Sequence, residues 1–267
     1  MVGPGRPARG QGRVEAAPRS PALLDSTGME RLAVPIDTGA GDPLVLLHGY
    51  AMRPVVYRRL AETLAPRCRV VIPDLFSLPG PWSFARALDA LTRTLDTTGL
   101  ERVSMMAHSF GGGLQLGFAS SFPHRVVELV FSDTLGVSRE WGLADEALRH
   151  PLGLVRLATP PAVSSFVWSW CARPLPLATA AWWGFTSSRD GATDSVVAAG
   201  LRSHVLWANR DSVLSRHDGE AFARALNASF TVASAPSRHP IDHDWMFQEP
   251  ALFVDHLDEL DLDVLAP

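Results

Sequence analysis

The stretch from Val103 to Gly113, V-S-M-M-A-H-S-F-G-G-G, admits few structures. The apolar run Val103 to Met106 suits a buried strand, and a glycine tripeptide leads into the helical pattern Leu114 to Ser121. Ser109 sits at the junction. A strand that turns at once into a helix strains the corner residue and lifts its side chain clear of the sheet. The turn tolerates only small neighbours two before and two after. Here they are Ala107 and Gly111, a near match to the G-x-S-x-G turn that presents a serine nucleophile, with Ala in place of the first Gly. The competing reading is a serine that merely caps the following helix.

The flanking pattern predicts an alternation of strands and helices. Leu44 to Leu47 reads as a short strand closed by His48-Gly49-Tyr50. Helical spacing follows through Tyr57, Leu60, Ala61 and Leu64, then a strand from Arg69 to Ile72. Phe84 to Leu95 reads as an amphipathic helix with Ala85, Leu88, Leu91 and Leu95 on one face. Val126 to Phe131 is a further strand, ending in Ser132-Asp133. After residue 200, His204 to Trp207 and Ser229 to Val232 read as strands, Asp218 to Leu226 and Trp245 to Leu260 as helices. Such alternation predicts an α/β fold with a mainly parallel, doubly wound sheet. Sites in such sheets gather beyond the carboxyl ends of the strands.

Between residues 136 and 200 the rhythm breaks. This stretch holds five of the eight tryptophans (Trp141, Trp168, Trp170, Trp182 and Trp183), with helical pieces and no clear strand. It reads as a helical insertion set on a core formed by residues 29–135 and 201–267. Residues 1–28 are rich in Pro, Gly, Ala and Arg, a composition too poor in apolar surface to offset ordering entropy. They are expected to be a disordered, dispensable leader, with Met29 a plausible start.

A length of 267 residues and 46% hydrophobic content suffice for one sizeable domain. The net charge of −4 gives no electrostatic case for nucleic acid or an anionic membrane as partner. No apolar run reaches the length of a membrane span. Cys68 and Cys171 lack metal or redox spacing and point to a reducing, cytoplasmic setting. No cofactor or metal is expected.

A serine hydroxyl needs a base to take its proton, and that base needs a carboxylate to orient it. His48-Gly49 after a strand, Ala-His-Ser-Phe-Gly at the corner, an Asp after a later strand and a His before the last helix together resemble the α/β-hydrolase fold family, over residues 30 to 262. The order Ser, acid, His also agrees. The resemblance implies a helical cap at residues 136–200 and a serine hydrolase acting on an ester, thioester or similar acyl bond. Ser109 is then the nucleophile. His243 is the expected base, because it precedes Pro250 and Phe253 at the family's spacing; His239 is the alternative. Asp211 is the expected acid and Asp133 its rival.

The oxyanion hole is expected from the backbone N–H groups of Phe110 and Tyr50, with Ala51 as fallback to Tyr50. His48 is expected to brace that loop, and His108 to be structural. The cap tryptophans either wall a pocket for a small apolar acyl or aromatic substrate or simply glue the cap to the sheet. The same triad also serves lyases and carbon–carbon bond hydrolases, and a non-catalytic small-molecule receptor is the runner-up from another class. Monomer and homodimer stay equally open.

Overall fold

The computed structural model describes residues 24–134, 158–186, 190–235 and 240–266. Among these residues seven strands form one sheet: β1 (Ala33–Thr38), β2 (Pro43–Leu47), β3 (Arg69–Asp74), β4 (Val103–His108), β5 (Val126–Ser132), β6 (Arg202–Ala208) and β7 (Ser229–Ala233). Their order is β1-β3-β2-β4-β5-β6-β7. β1 pairs antiparallel with β3, and every other pairing is parallel. The parallel strands are nearly continuous apolar runs because helices cover both faces.

Alternation along each strand sends neighbours to opposite layers. Val45 and Leu47 of β2, with Met105 and Ala107 of β4, enter one core. Leu44, Leu46 and Met106 enter the other. The first layer is closed by α2 (Phe84–Thr97), α3 (Gly111–Ser121) and α7 (Arg216–Ala225). Closing the second are α1 (Arg58–Leu64), α8 (Trp245–Gln248) and α9 (Pro250–Asp258). Phe118, Phe131 and Phe222 are fully buried; each contributes about 2–3 kcal/mol of hydrophobic stabilisation.

Several sequence expectations shift. The antiparallel edge strand β1 was not foreseen: its run A-V-P-I-D-T contains a proline and is only half buried. In α2 the buried residues are Ala87, Ala90, Leu91, Thr94 and Leu95; Ala85 is exposed, so the inward face is rotated from the expected one. Ser83 caps this helix by accepting from Arg86 N. The single closing helix is two pieces, α8 and α9, broken at Glu249 because Pro250 has no N–H to continue the ladder. Part of the expected leader is structured: Leu24 bridges Glu30, and Asp25 Oδ1 accepts from Thr27 N and Met29 N. Residues 1–23 lie outside the described residues.

Between β5 and β6 run α4 (Pro160–Ala172), α5 (Pro174–Thr186) and α6 (Asp190–Ala198). Residues 135–157, with Trp141, lie outside the described residues. α6 lies against α3, and its Val196 is part of the first core. α4 and α5 pack on each other, α5 adds Leu177 and Ala180 to the first core, and polar ties link the pair to the rim of the sheet. Arg53 N donates to Ser165 Oγ at 2.7 Å, Trp82 N to Thr179 Oγ1 at 2.8 Å, and Arg173 pairs with Asp74 at 2.7 Å. The Arg53 and Arg173 guanidinium groups lie 4.0 and 5.1 Å from the Trp168 ring centre.

Candidate active site

Ser109 follows β4 directly and has φ +50°, the left-handed region that a non-glycine residue enters only under constraint. Its N–H donates to Ser132 O at 3.2 Å, and α3 begins two residues later. The helix can start there only because residue 111 is glycine: a Cβ at Gly111 would lie 2.3 Å from Leu47 O. Ala51 and Asp133, at the ends of neighbouring strands, also have positive φ, +56° and +47°. Three constrained corners thus lie at the carboxyl edge of adjacent strands.

The Gly49–Tyr50 turn presses on this corner. A Cβ at Gly49 would stand 3.4 Å from Ser109 Cβ and 3.0 Å from His108 Nδ1. His48, fully buried, donates from Nδ1 to Gly49 O at 2.9 Å and accepts at Nε2 from Leu75 N at 2.9 Å. Both ring nitrogens therefore hold the loop. Asp74 lies 3.8 Å from His48 Nε2; burial opposes its ionisation, but with the Arg173 guanidinium at 2.7 Å its carboxyl is held below the ordinary range.

His243 Nδ1 donates to Asp211 Oδ2 at 2.9 Å, and both residues are buried. Asp211 Oδ1 accepts from Val213 N at 2.7 Å and Leu214 N at 2.9 Å, which aims its other oxygen at the imidazole. Burial works against a charged His243. The charge and hydrogen bond of Asp211, with Asp244 and Asp133, overcome it and lift the pKa to about 9. Asp242 Oδ1 accepts from His243 N, Ser212 N and Ser212 Oγ, fixing the backbone that carries the imidazole. His239 lies outside the described residues.

Asp133 faces the same cluster from β5 but is fully engaged elsewhere. Oδ1 accepts from Ala208 N at 2.7 Å; Oδ2 accepts from Ser132 Oγ at 2.8 Å and Trp245 Nε1 at 2.7 Å. Burial, reinforced by the charge of Asp211, pushes its pKa well above the usual carboxylate range. Asp244 is pushed up to about 6 by burial, against the favourable charge of His243.

Two further residues, His108 and Tyr57, brace this neighbourhood. Because β4 alternates, His108 shares the layer of Met106 and points toward α1 and α8. Its Nε2–H donates to the peptide oxygen of His243 at 2.9 Å, and the two rings lie 4.9 Å apart. Its Nδ1 accepts from Tyr57 Oη at 2.7 Å, and Tyr57 Oη accepts from Gly49 N at 3.1 Å. Burial and the charge of His243 hold the His108 pKa well below its ordinary value, so the ring is neutral. Alternation in the strand could have assigned His108 to this layer. No sequence signal links Tyr57 to either partner.

Aromatic rings stand over the corner. Phe110 contacts Tyr50, Phe76, Trp82 and Trp183, with ring centres between 5.4 and 5.9 Å. Trp183 also stacks on Phe84 at 5.0 Å, so this α5 residue reaches both α2 and the neighbour of Ser109. His108, His243 and Asp244 offer three potential metal-ligand atoms within 4.8 Å of one another. Both His108 nitrogens and His243 Nδ1 are already committed to protein partners, so the group is not laid out as a ligand set.

A sheet of this order, a constrained serine after its central strand and a His–Asp pair from later loops give the chain the α/β-hydrolase fold. The family model for the alpha/beta hydrolase fold matches residues 42–153. The 2-hydroxy-6-oxo-2,4-heptadienoate hydrolase of Pseudomonas putida is 36% identical over 114 residues, 39% of this chain and 41% of that protein. The match therefore spans about two fifths of that relative's length. A thermophilic esterase from Thermogutta terrifontis superposes with TM-score 0.70 at 22% identity, covering 92% of this chain and 97% of the other. A hydrolase from Pseudomonas aeruginosa superposes with TM-score 0.71 at 20% identity, covering 92% and 100%.

Proposed function

We propose that the protein is a serine hydrolase that cleaves a carboxylic ester, thioester or related acyl bond of an apolar substrate. Ser109 attacks the acyl carbon while His243 takes its proton. Asp211 holds the imidazole in the required tautomer and stabilises the imidazolium. The backbone N–H groups of Tyr50 and Phe110 receive the developing oxyanion, each worth on the order of 100- to 1,000-fold in rate. His243 then protonates the leaving group, and water releases the acyl group from Ser109. The observation that carries this reading is the Asp211–His243 pair at 2.9 Å, whose imidazole neighbours the residue preceding a serine held at φ +50°. The aromatic cluster of Tyr50, Phe76, Phe110 and Trp183 supports an apolar acyl or aromatic substrate.

Among the described residues no helix is long and apolar enough to cross a membrane. Both cysteines are free, which fits the proposed cytoplasmic setting.

A fluorophosphonate probe with a series of p-nitrophenyl esters tests the proposal. Labelling of Ser109, abolished by His243→Ala, and preference for medium or long acyl chains are the expected results. An inert serine would move the assignment to a non-catalytic receptor. Carbon–carbon bond hydrolysis is the second reading, favoured by the match to the heptadienoate hydrolase. Turnover of 2-hydroxy-6-oxo-2,4-heptadienoate far above that of any ester would decide for it.

A further inference from the structure

The two halves of the proposed machinery are joined below the site by a buried chain of three hydrogen bonds. It runs from Gly49 N–H to the Tyr57 hydroxyl, from that hydroxyl to His108 Nδ1, and from His108 Nε2–H to the peptide oxygen of His243. The donor directions are fixed without ambiguity. A peptide oxygen can only accept, so His108 carries its proton on Nε2 and Nδ1 must accept. The Tyr57 proton is then used, and its oxygen is left to accept from Gly49. Tyr57 and His108 are each fully or almost fully buried, and no solvent competes for these bonds. The Tyr57 ring is held against Phe247 at 5.1 Å and His108 at 5.9 Å, so the hydroxyl has little freedom to aim elsewhere.

We propose that Tyr57 and His108 are positioning residues: through them the turn bearing the Tyr50 N–H and the peptide bearing the His243 imidazole are set against Ser109 as one unit. The inference rests on the reading of Ser109, His243 and Tyr50 given above. With Gly49 N–H engaged by Tyr57, the next N–H of the turn, that of Tyr50, is the one left for the proposed oxyanion role. Neither positioning side chain touches substrate. Their effect runs entirely through where two other groups stand, and a displacement of about 1 Å in such groups costs on the order of 100-fold in rate.

The test uses Tyr57→Phe, which keeps the ring and its packing, together with His108→Leu, the double variant and His108→Gln. The glutamine amide offers one acceptor and one donor, as the neutral ring does. Expected are a ten- to hundredfold fall in kcat on p-nitrophenyl esters at unchanged KM for Tyr57→Phe and for His108→Leu. The double variant should be no worse than the poorer single one, because both cut the same chain. His108→Gln should recover most of the loss. In parallel, nitrogen-15 NMR of the wild-type protein should show His108 protonated at Nε2 only, and Tyr57→Phe should move the His243 ring and amide resonances. Full kcat in Tyr57→Phe, additive losses in the double variant, or unmoved His243 resonances would each overturn the proposal. If wild-type protein neither labels with the fluorophosphonate nor hydrolyses any ester, the acyl-transfer reading falls by itself; the NMR arm, independent of turnover, then decides whether the tie exists.

Discussion

The indole Nε1–H of Trp245 donates to Oδ2 of Asp133 at 2.7 Å, two residues beyond the histidine that Asp133 would have to orient as the triad acid. With Ser132 Oγ on the same oxygen and Ala208 N on the other, Asp133 is held by three donors, none of them His243, whose Nδ1 is taken by Asp211. Asp211→Asn is therefore expected to lower kcat by about 10,000-fold through loss of the correct tautomer. Asp133→Asn should cost less than about tenfold in kcat and about 1–3 kcal/mol of stability, through its buried donors. Ester kinetics and urea unfolding of both variants check this, and a larger activity loss for Asp133→Asn would transfer the role of acid to it.

The pH dependence follows from His243. In the proposed mechanism its imidazole must be neutral to accept the Ser109 proton, and in the fold its pKa is lifted to about 9. kcat/KM should rise with pH and reach half its plateau near 9, in a stopped assay corrected for nitrophenol ionisation. Asp211→Asn removes the group that lifts the pKa, so the midpoint of its residual activity should move to lower pH. The raised value also stabilises the fold. That contribution is complete below the ordinary histidine value of 6.5 and disappears as pH rises through about 9.

Asp244 works in the opposite sense. Buried beside His243, it ionises near pH 6 in the fold and near 3.8 in the unfolded chain. Its contribution to stability is present below 3.8 and lost as pH rises through about 6, leaving a cost on the order of 3 kcal/mol at higher pH. Asp244→Asn should thus raise the melting temperature at pH 8 by several degrees and confer no advantage at pH 3.5. Calorimetry at the two pH values decides, and a pH-independent difference would contradict this account.

Gly111→Ala tests the corner. The added Cβ would meet Leu47 O at 2.3 Å, and backbone cannot yield as a flexible side chain can. A loss of about 3 kcal/mol or more in urea unfolding is expected, with little residual labelling of Ser109. Wild-type stability in this variant would mean that the turn is looser than described.

Legibility in the sequence followed the range of the forces involved. Strands such as Val103–His108 and Val126–Ser132 announce themselves by apolar runs, because burial on both faces leaves no choice of residue. Ser109, Gly111 and His48 could be read from local turn chemistry. β1 could not: an edge strand with Pro35 and a single buried residue, Ile36, satisfies no strong pattern. Trp245 to Leu260 reads as one helix by periodicity alone, although Pro250 marks the break. The Tyr57–His108 bond joins residues 51 apart in sequence and depends on how the helical turn Pro54–Tyr57 ahead of α1 settles on the sheet, which no spacing encodes.

The placement of α6 against α3 bears on how this chain could be trimmed. Val196 belongs to the layer that covers the sheet, so the return limb of the insertion is structural cladding for the helix behind Ser109. α5 belongs to the same cladding through Leu177 and Ala180, both fully buried. A version shortened from the start of α4 to residue 200 would therefore open that layer at three apolar positions, and any different roof grafted there has to refill them.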